Sequence, residues 1–334
     1  MPPEAAALAP PPAAARLPAA WRGPLAALAL SLLALLGVTA SSWSAMAHQW
    51  WNIDTYNHLL LVPFIIAWLV ALREDDLAQI APQAFWPGLI PLAAALALWR
   101  AGEGAGINLV AQAGAVGAVQ AALVTVLGLR ASLVLALPVA FAAFLVPFGD
   151  EIIPPLQHLT AEIAIALTHA SGIPARIEGI HIHTPAGLFI VAEACSGVKF
   201  LVAMVTLGVL VCATRLSRWR TRAAFMAACV AVPVVANGVR AFATILAAQY
   251  VGAEKATGFD HIVYGWVFFA IVIAILLGAA WRFVEREPET YGWPLGAVEG
   301  WAWLTRAEAH SFAPGSAAAA IIALAGVAAL TALL

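Results

Sequence analysis

Apolar runs of membrane-crossing length recur along almost the whole chain, and no other feature restricts the fold so strongly. A helix needs about 20 consecutive apolar residues to cross a bilayer core. Candidate segments fall at 25–46, 58–73, 85–100, 107–128, 131–148, 196–214, 222–250, 260–282 and 316–334. Composition agrees, with 63% of the residues hydrophobic and 10% charged, against about 25% charged in a soluble domain. Lipid offers no partner for free backbone groups, so spanning segments must satisfy them internally. The pattern predicts an all-α polytopic membrane protein with about 8–9 transmembrane helices.

Residues 1–24 read as a disordered Ala/Pro-rich tail, 25–285 as one membrane domain, and 286–334 as a C-terminal segment ending in a last helix. The run 25–39 resembles a signal-peptide core, and Ala45-Met46-Ala47 a cleavage site. Further spans follow, so it is read as a retained first helix. Placing the tail in the cytoplasm and alternating puts 11 of the 16 basic residues inside, including Arg215, Arg218, Arg220 and Arg222 in one short loop. The long non-spanning stretch 149–195 then lies outside. A net charge of −2 without a Lys/Arg-rich surface argues against nucleic acid as a partner; the lipid bilayer is the partner the composition implies.

Within that outer stretch, ARIEGIHIHTPAGLFIVAEACSG reads as a short periplasmic β-hairpin turning at Thr-Pro-Ala-Gly. Ile177, Ile180 and Ile182 are expected to face Leu188, Ile190 and Ala192, and the second strand to run into Cys195. Cys195 then opens an inward-running helix, Arg240 lies in the outer half of the next, and His261 opens the one after. All three reach one layer although 66 residues separate the first from the last. Ionisable residues at such depth are expensive to bury and point to function. A thiol at a helix start is a packing residue in most proteins, but free N–H groups there, at Ser196 and Gly197, would stabilise a thiolate. A histidine can move protons for it, and an arginine can hold a developing oxyanion.

Supporting candidates surround these three. Glu193 shares a strand face with Cys195 and could orient a neighbour or simply end the strand. Asn237 lies three residues before Arg240 on one helix face and could orient it. Asp54 and His58 stand in the Trp-rich outer loop HQWWNIDTYNHLLLVP, and Asp260 and Tyr264 flank His261. The remaining thiols, Cys212 and Cys229, are expected as buried core residues. His181 and His183 alternate on one strand face without a third ligand nearby, so neither a metal nor a cofactor is expected.

VAEACSGVKFL, PVVANGVRAF and GFDHIVYGWVFF, in that order, resemble the three motif regions of the exosortase/archaeosortase family, polytopic cysteine transpeptidases. WWNIDTYNHLLLVP is similar to the family's outer loop, in a form closest to the exosortase A subgroup. The resemblance covers about residues 48–285. It implies Cys195 as nucleophile, Arg240 as the motif arginine and His261 as catalytic histidine. It also implies a bacterial inner-membrane enzyme with a periplasmic site. Its substrates would be exported proteins bearing a C-terminal PEP-CTERM-type signal, with exopolysaccharide machinery as a further partner. Some exosortase A members carry a C-terminal soluble domain; residues 283–334 here offer a Trp-rich segment and one apolar run. Two other classes fit the composition, a transporter or flippase and a non-catalytic component of polysaccharide assembly. A transporter would place its polar site near the midplane, at broken helices.

Overall fold

The computed structural model describes residues 18–256 and 260–331, with side chains described except at 260–264. The chain is mostly helical. Its principal helices are α1 (Arg22–Val38), α2 (Ala40–Asn52), α3 (Val62–Ala71), α4 (Leu89–Ala105), α5 (Asn108–Val134), α6 (Ile153–Ala170), α7 (Val198–Thr214), α8 (Trp219–Val251), α9 (Asp260–Trp281) and α10 (Pro314–Leu330). Short strands are β1 (Ala84–Phe85), β2 (Arg176–Glu178), β3 (His181–Thr184), β4 (Gly187–Ile190) and β5 (Ser311–Phe312).

Every apolar run marked out in the sequence carries helix. Among the described residues, three helices are long and apolar enough to cross a membrane: Ala19–Val38, Asn108–Val134 and Trp219–Val251. The number rises to five if each of two bent helix pairs is one span. The expected eight or nine are reached only if the shorter apolar helices also cross. α7 and α10 have 17 residues each, about 26 Å of helix against a hydrocarbon core of about 30 Å.

Contacts divide the chain into two compact units. The first comprises residues 18–40, 65–143 and 293–331. Its centre is α4 against α5, brought close by small residues. A Cβ at Gly102 would stand 2.3 Å from the Ala111 backbone nitrogen, and one at Gly114 equally close to that of Trp99. Small residues at facing positions let membrane helices approach backbone to backbone. α5 breaks its helical geometry at Gly128 (φ 80, ψ 174), where the sequence predicts a gap between two spans. α10 packs on α1 and α4, β5 pairs antiparallel with β1, and Glu308 takes both arms of the Arg130 guanidinium at 2.9 and 2.8 Å. The C-terminal segment is thus built into this unit. Of the tail expected at 1–24, residues 1–17 lie outside the described residues and 18–24 belong to this unit. The buried Trp21 indole donates to the carbonyls of Leu77 and Ile80, and helix begins at Arg22. The indole's need for a partner when buried fixes this start.

The second unit comprises residues 41–64, 144–256 and 260–292. α8 is its axis, with α6, α7 and α9 packed against it. Phe200, Met204, Phe225, Phe269 and Leu276 fill the core between α7, α8 and α9, and Cys212 and Cys229 are buried among them. The expected hairpin is a three-stranded antiparallel sheet in the order β2–β3–β4. Its second turn is at Thr184–Gly187, as the sequence predicts. The pairing differs from expectation: Ile182 stands opposite Phe189, while His181 and His183 oppose Ile190 and Leu188. Gly179 and Ile180 form a separate tight turn, so Ile177 and Ile180 belong to no single strand. Ile182 is buried against α6 and α8 with Ala161, Ala164 and Ile245, and Leu188 and Ile190 are exposed. A shift of one residue inverts every side chain of a strand.

Candidate active site

β4 delivers the chain to the site. Past its end, Val191 is buried; its N–H donates to Ile180 and its carbonyl accepts from Gln157 Nε2 at 2.7 Å. One 3-10 turn follows, Glu193–Cys195, closed by bonds from Cys195 N–H to the Ala192 carbonyl (2.8 Å) and from Ser196 N–H to that of Glu193 (3.0 Å). Gly197 then takes φ +86, a left-handed conformation costing other residues about 1–2 kcal/mol, and α7 starts at Val198. Cys195 therefore sits one turn ahead of the helix rather than on its first residue. The Ser196 hydroxyl accepts from Val198 N–H, and Gly197 O accepts from Phe200 and Leu201. Of the two N–H groups expected to face the thiol, that of Ser196 is thus taken by the turn itself.

Asn237, on α8, holds this turn in place. It is 1% exposed, and its Nδ2 donates to the Cys195 carbonyl at 2.7 Å and to Thr160 Oγ1 at 3.0 Å. Thr160, on α6, donates in turn to the Ser196 carbonyl at 3.3 Å. A Cβ on Gly197 would lie 2.8 Å from Asn237 Cγ, so the glycine is required twice over. The expectation that Asn237 orients Arg240 is replaced: its amide orients the cysteine turn. Removing it leaves the Cys195 carbonyl unpaired and takes from the Thr160 hydroxyl the one donor it accepts from, while its own bond to Ser196 remains. Asn237→Ala is expected to cost about 1–2 kcal/mol. Asn237→Asp should cost more, because a carboxylate has no N–H to give. Thermal unfolding of the detergent-purified variants measures this; unchanged midpoints for both would remove the bridge from the account.

Arg240 follows one turn further along α8. Its guanidinium carbon stands 5.6 Å from the Phe200 ring centre, and Phe200 is stacked on Phe269. Gly265 on α9 leaves room for it, since a Cβ there would meet Nη1 at 2.8 Å. Among the described residues no carboxylate pairs with this guanidinium. A cation held on aromatic faces rather than by a counter-ion keeps its donors for another group.

Cys195 and Arg240 line the same two cavities. One, of about 230 Å³, is apolar, walled by Ile182, Phe189 and Val191 from the sheet side and by Ala241, Thr244 and Ile245 of α8. The other, of about 120 Å³, is more polar, with Asp54, Lys199 and Trp266 on its walls. Lys199 Nζ lies 3.7 Å from an Asp54 carboxylate oxygen and 4.3 Å from the Trp266 ring centre. A half-buried thiol and a permanent cation therefore stand where an apolar and a polar recess meet. Such a pair suits attack on a carbonyl and stabilisation of the resulting oxyanion.

The other expected residues divide. Asp54, Ser196, Gly197 and Asn237 join the site. Glu193 shares the cysteine's turn but is exposed and lines neither cavity. His58 lines neither; its Nε2 is buried without a hydrogen-bond partner among the described residues. Nearby, the buried Tyr56 donates its hydroxyl to Asp150 at 2.5 Å. The side chains of Asp260, His261 and Tyr264 lie outside the described residues; the α9 backbone puts His261 one turn before Gly265. Sequence reasoning missed Thr160, which no motif marks, and Phe200 and Gly265, which stand inside quoted motifs as plain apolar positions.

Residues 50–278, about two thirds of the chain, match the family model described as Transmembrane exosortase (Exosortase_EpsH). Cys195, Arg240 and both cavities fall inside that span. The match is to the family as a whole and does not separate its subgroups. No curated protein and no solved structure matches the chain.

Proposed function

Because the chain belongs to the transmembrane exosortase family, we propose that this multi-pass membrane protein is a cysteine peptidase and transpeptidase that removes C-terminal PEP-CTERM-type sorting signals from exported proteins. The observation that carries this reading is the sharing of two adjoining cavities by Cys195 and Arg240.

The steps follow from the residues. The Cys195 thiolate attacks the scissile carbonyl carbon, and the carbonyl electron pair moves onto oxygen, to which the Arg240 guanidinium donates hydrogen bonds. The C–N bond breaks as the intermediate collapses. The leaving amine takes a proton from His261, and the acyl group remains on sulfur as a thioester. A second nucleophile, an amine or hydroxyl of an envelope or exopolysaccharide acceptor, or water, attacks the thioester and returns the thiol. The site lies at the outer face of the bacterial inner membrane in this reading. A substrate anchored by its own C-terminal helix would be cut just outside the bilayer, its extended segment lying along the end of β4.

Mass spectrometry of the new C-terminus of an anchored reporter tests the reading, with hydroxylamine added during processing. A thioester predicts a C-terminal hydroxamate on the released reporter. Cleavage that never incorporates hydroxylamine, at a rate that does not depend on Cys195, would sink it.

A further inference from the structure

A second cavity of this unit, free of Cys195, lies at the other end of α8, and the basic residues around it are unevenly partnered. It has a volume of about 400 Å³, in the range of small-molecule sites. Phe225 and Ala228 of α8 and Leu276 and Ala280 of α9 give it an apolar floor, and Arg220 and Arg282 stand on its wall. Among the described residues no carboxylate lines it.

Six arginines cluster at this end, and the four outside the cavity are engaged. Arg215 pairs with Glu287 at 3.5 Å and Arg218 with Glu285 at 3.1 Å. Arg222 gives two hydrogen bonds to the Leu216 carbonyl, and Arg286 one to the Ser217 hydroxyl. The two on the cavity wall make no side-chain hydrogen bond or ion pair among the described residues and lie against aromatic rings: Arg220 is 5.7 Å from the Trp219 ring and Arg282 5.0 Å from that of Phe283. Trp219 and Trp281, 73% and 74% exposed, flank the opening as an interfacial belt would. Arg220 and Arg240 are twenty residues apart on α8, about 30 Å of helix and one hydrocarbon thickness. The groove therefore opens at the membrane face opposite Cys195.

We infer that this groove is a binding site for an anionic phospholipid, with an acyl chain on the floor between α8 and α9 and the phosphate held between Arg220 and Arg282. Guanidinium groups match phosphate oxygens in pairs, and an apolar slot below two unpaired cations complements an anionic headgroup with an attached chain. Lipid in this place ties the cytoplasmic ends of α8 and α9 together, and α8 carries Asn237 and Arg240 at its other end. The inference does not depend on the chemistry assigned to Cys195.

Native mass spectrometry and thermal unfolding of the full-length protein in detergent test it, with phosphatidylglycerol, phosphatidylcholine and inorganic phosphate as probes. Phosphatidylglycerol should remain bound and raise the unfolding midpoint, as any ligand of the folded state does; phosphatidylcholine and inorganic phosphate should not. R220Q/R282Q should weaken phosphatidylglycerol about 10- to 30-fold, from about one charge-assisted contact per arginine. Arg218→Gln, in the same cluster but outside the cavity, should change it less than about twofold, in line with its exposed ion pair. Ala228→Leu keeps both arginines and fills the slot, and it should also abolish retention. Equal binding of both lipids, unchanged binding in R220Q/R282Q or in Ala228→Leu, or an equal gain from inorganic phosphate alone would each overturn the inference.

Discussion

Cys195→Ala reduces release of an anchored reporter to background, a loss of about four orders of magnitude or more, while leaving the unfolding midpoint close to that of the parent protein. The contrast follows from what the thiol touches. Among the described residues it makes no hydrogen bond, and the turn that carries it is held by main-chain bonds and by Asn237 through the Cys195 carbonyl. Removing one half-buried sulfur leaves all of those intact. Cys195→Ser should be nearly as inactive, because a hydroxyl ionises far less readily and needs stronger activation than the proposed roles of Arg240 and His261 would give. Reporter cleavage is read by immunoblot and stability by thermal unfolding in detergent. Full processing by Cys195→Ala would end the nucleophile assignment.

Replacing Arg240 by methionine should cost about 10²- to 10³-fold in turnover, the usual scale for losing one oxyanion donor. No carboxylate among the described residues depends on the arginine, so stability should fall by less than about 1 kcal/mol. Arg240→Lys separates charge from shape. The guanidinium plane lies near Phe200 and beside the bare Cα of Gly265, and an ammonium would reach neither in the same way. We expect Arg240→Lys to recover less than about a tenth of the lost activity. Near-parental turnover in Arg240→Lys would mean that only the charge matters. Near-parental turnover in Arg240→Met would remove the oxyanion role altogether.

Much of the fold was legible because the bilayer as solvent leaves few choices: a long apolar run must satisfy its own backbone, and each run marked out carries helix. Turn chemistry was equally readable at Thr-Pro-Ala-Gly, where the β3–β4 hairpin turns. The strand register was not. Both faces of this sheet carry apolar side chains, Ile182 and Phe189 on one and Leu188 and Ile190 on the other. Alternation alone cannot say which pair is buried, and packing against α6 and α8 decides. The helix start was misplaced for a related reason. Ser and Gly mark a beginning without fixing the residue, and the left-handed Gly197 moves it past the cysteine. The meeting of Cys195 with Arg240 could be guessed from depth alone, whereas the Asn237 bridge depends on a contact between α8 and the cysteine turn that no local pattern encodes.

The Asn237 bridge has a mechanical meaning. Its amide fastens the cysteine turn to α8 one helical turn from Arg240, so sulfur and guanidinium are mounted on a single lever. If the bilayer thins, or a client helix pushes its way in, α8 tilts and both groups swing together. The reach between them is then insulated from the elasticity of the surrounding lipid, and a soft, fluctuating solvent can hold two groups that the proposed chemistry needs at fixed spacing.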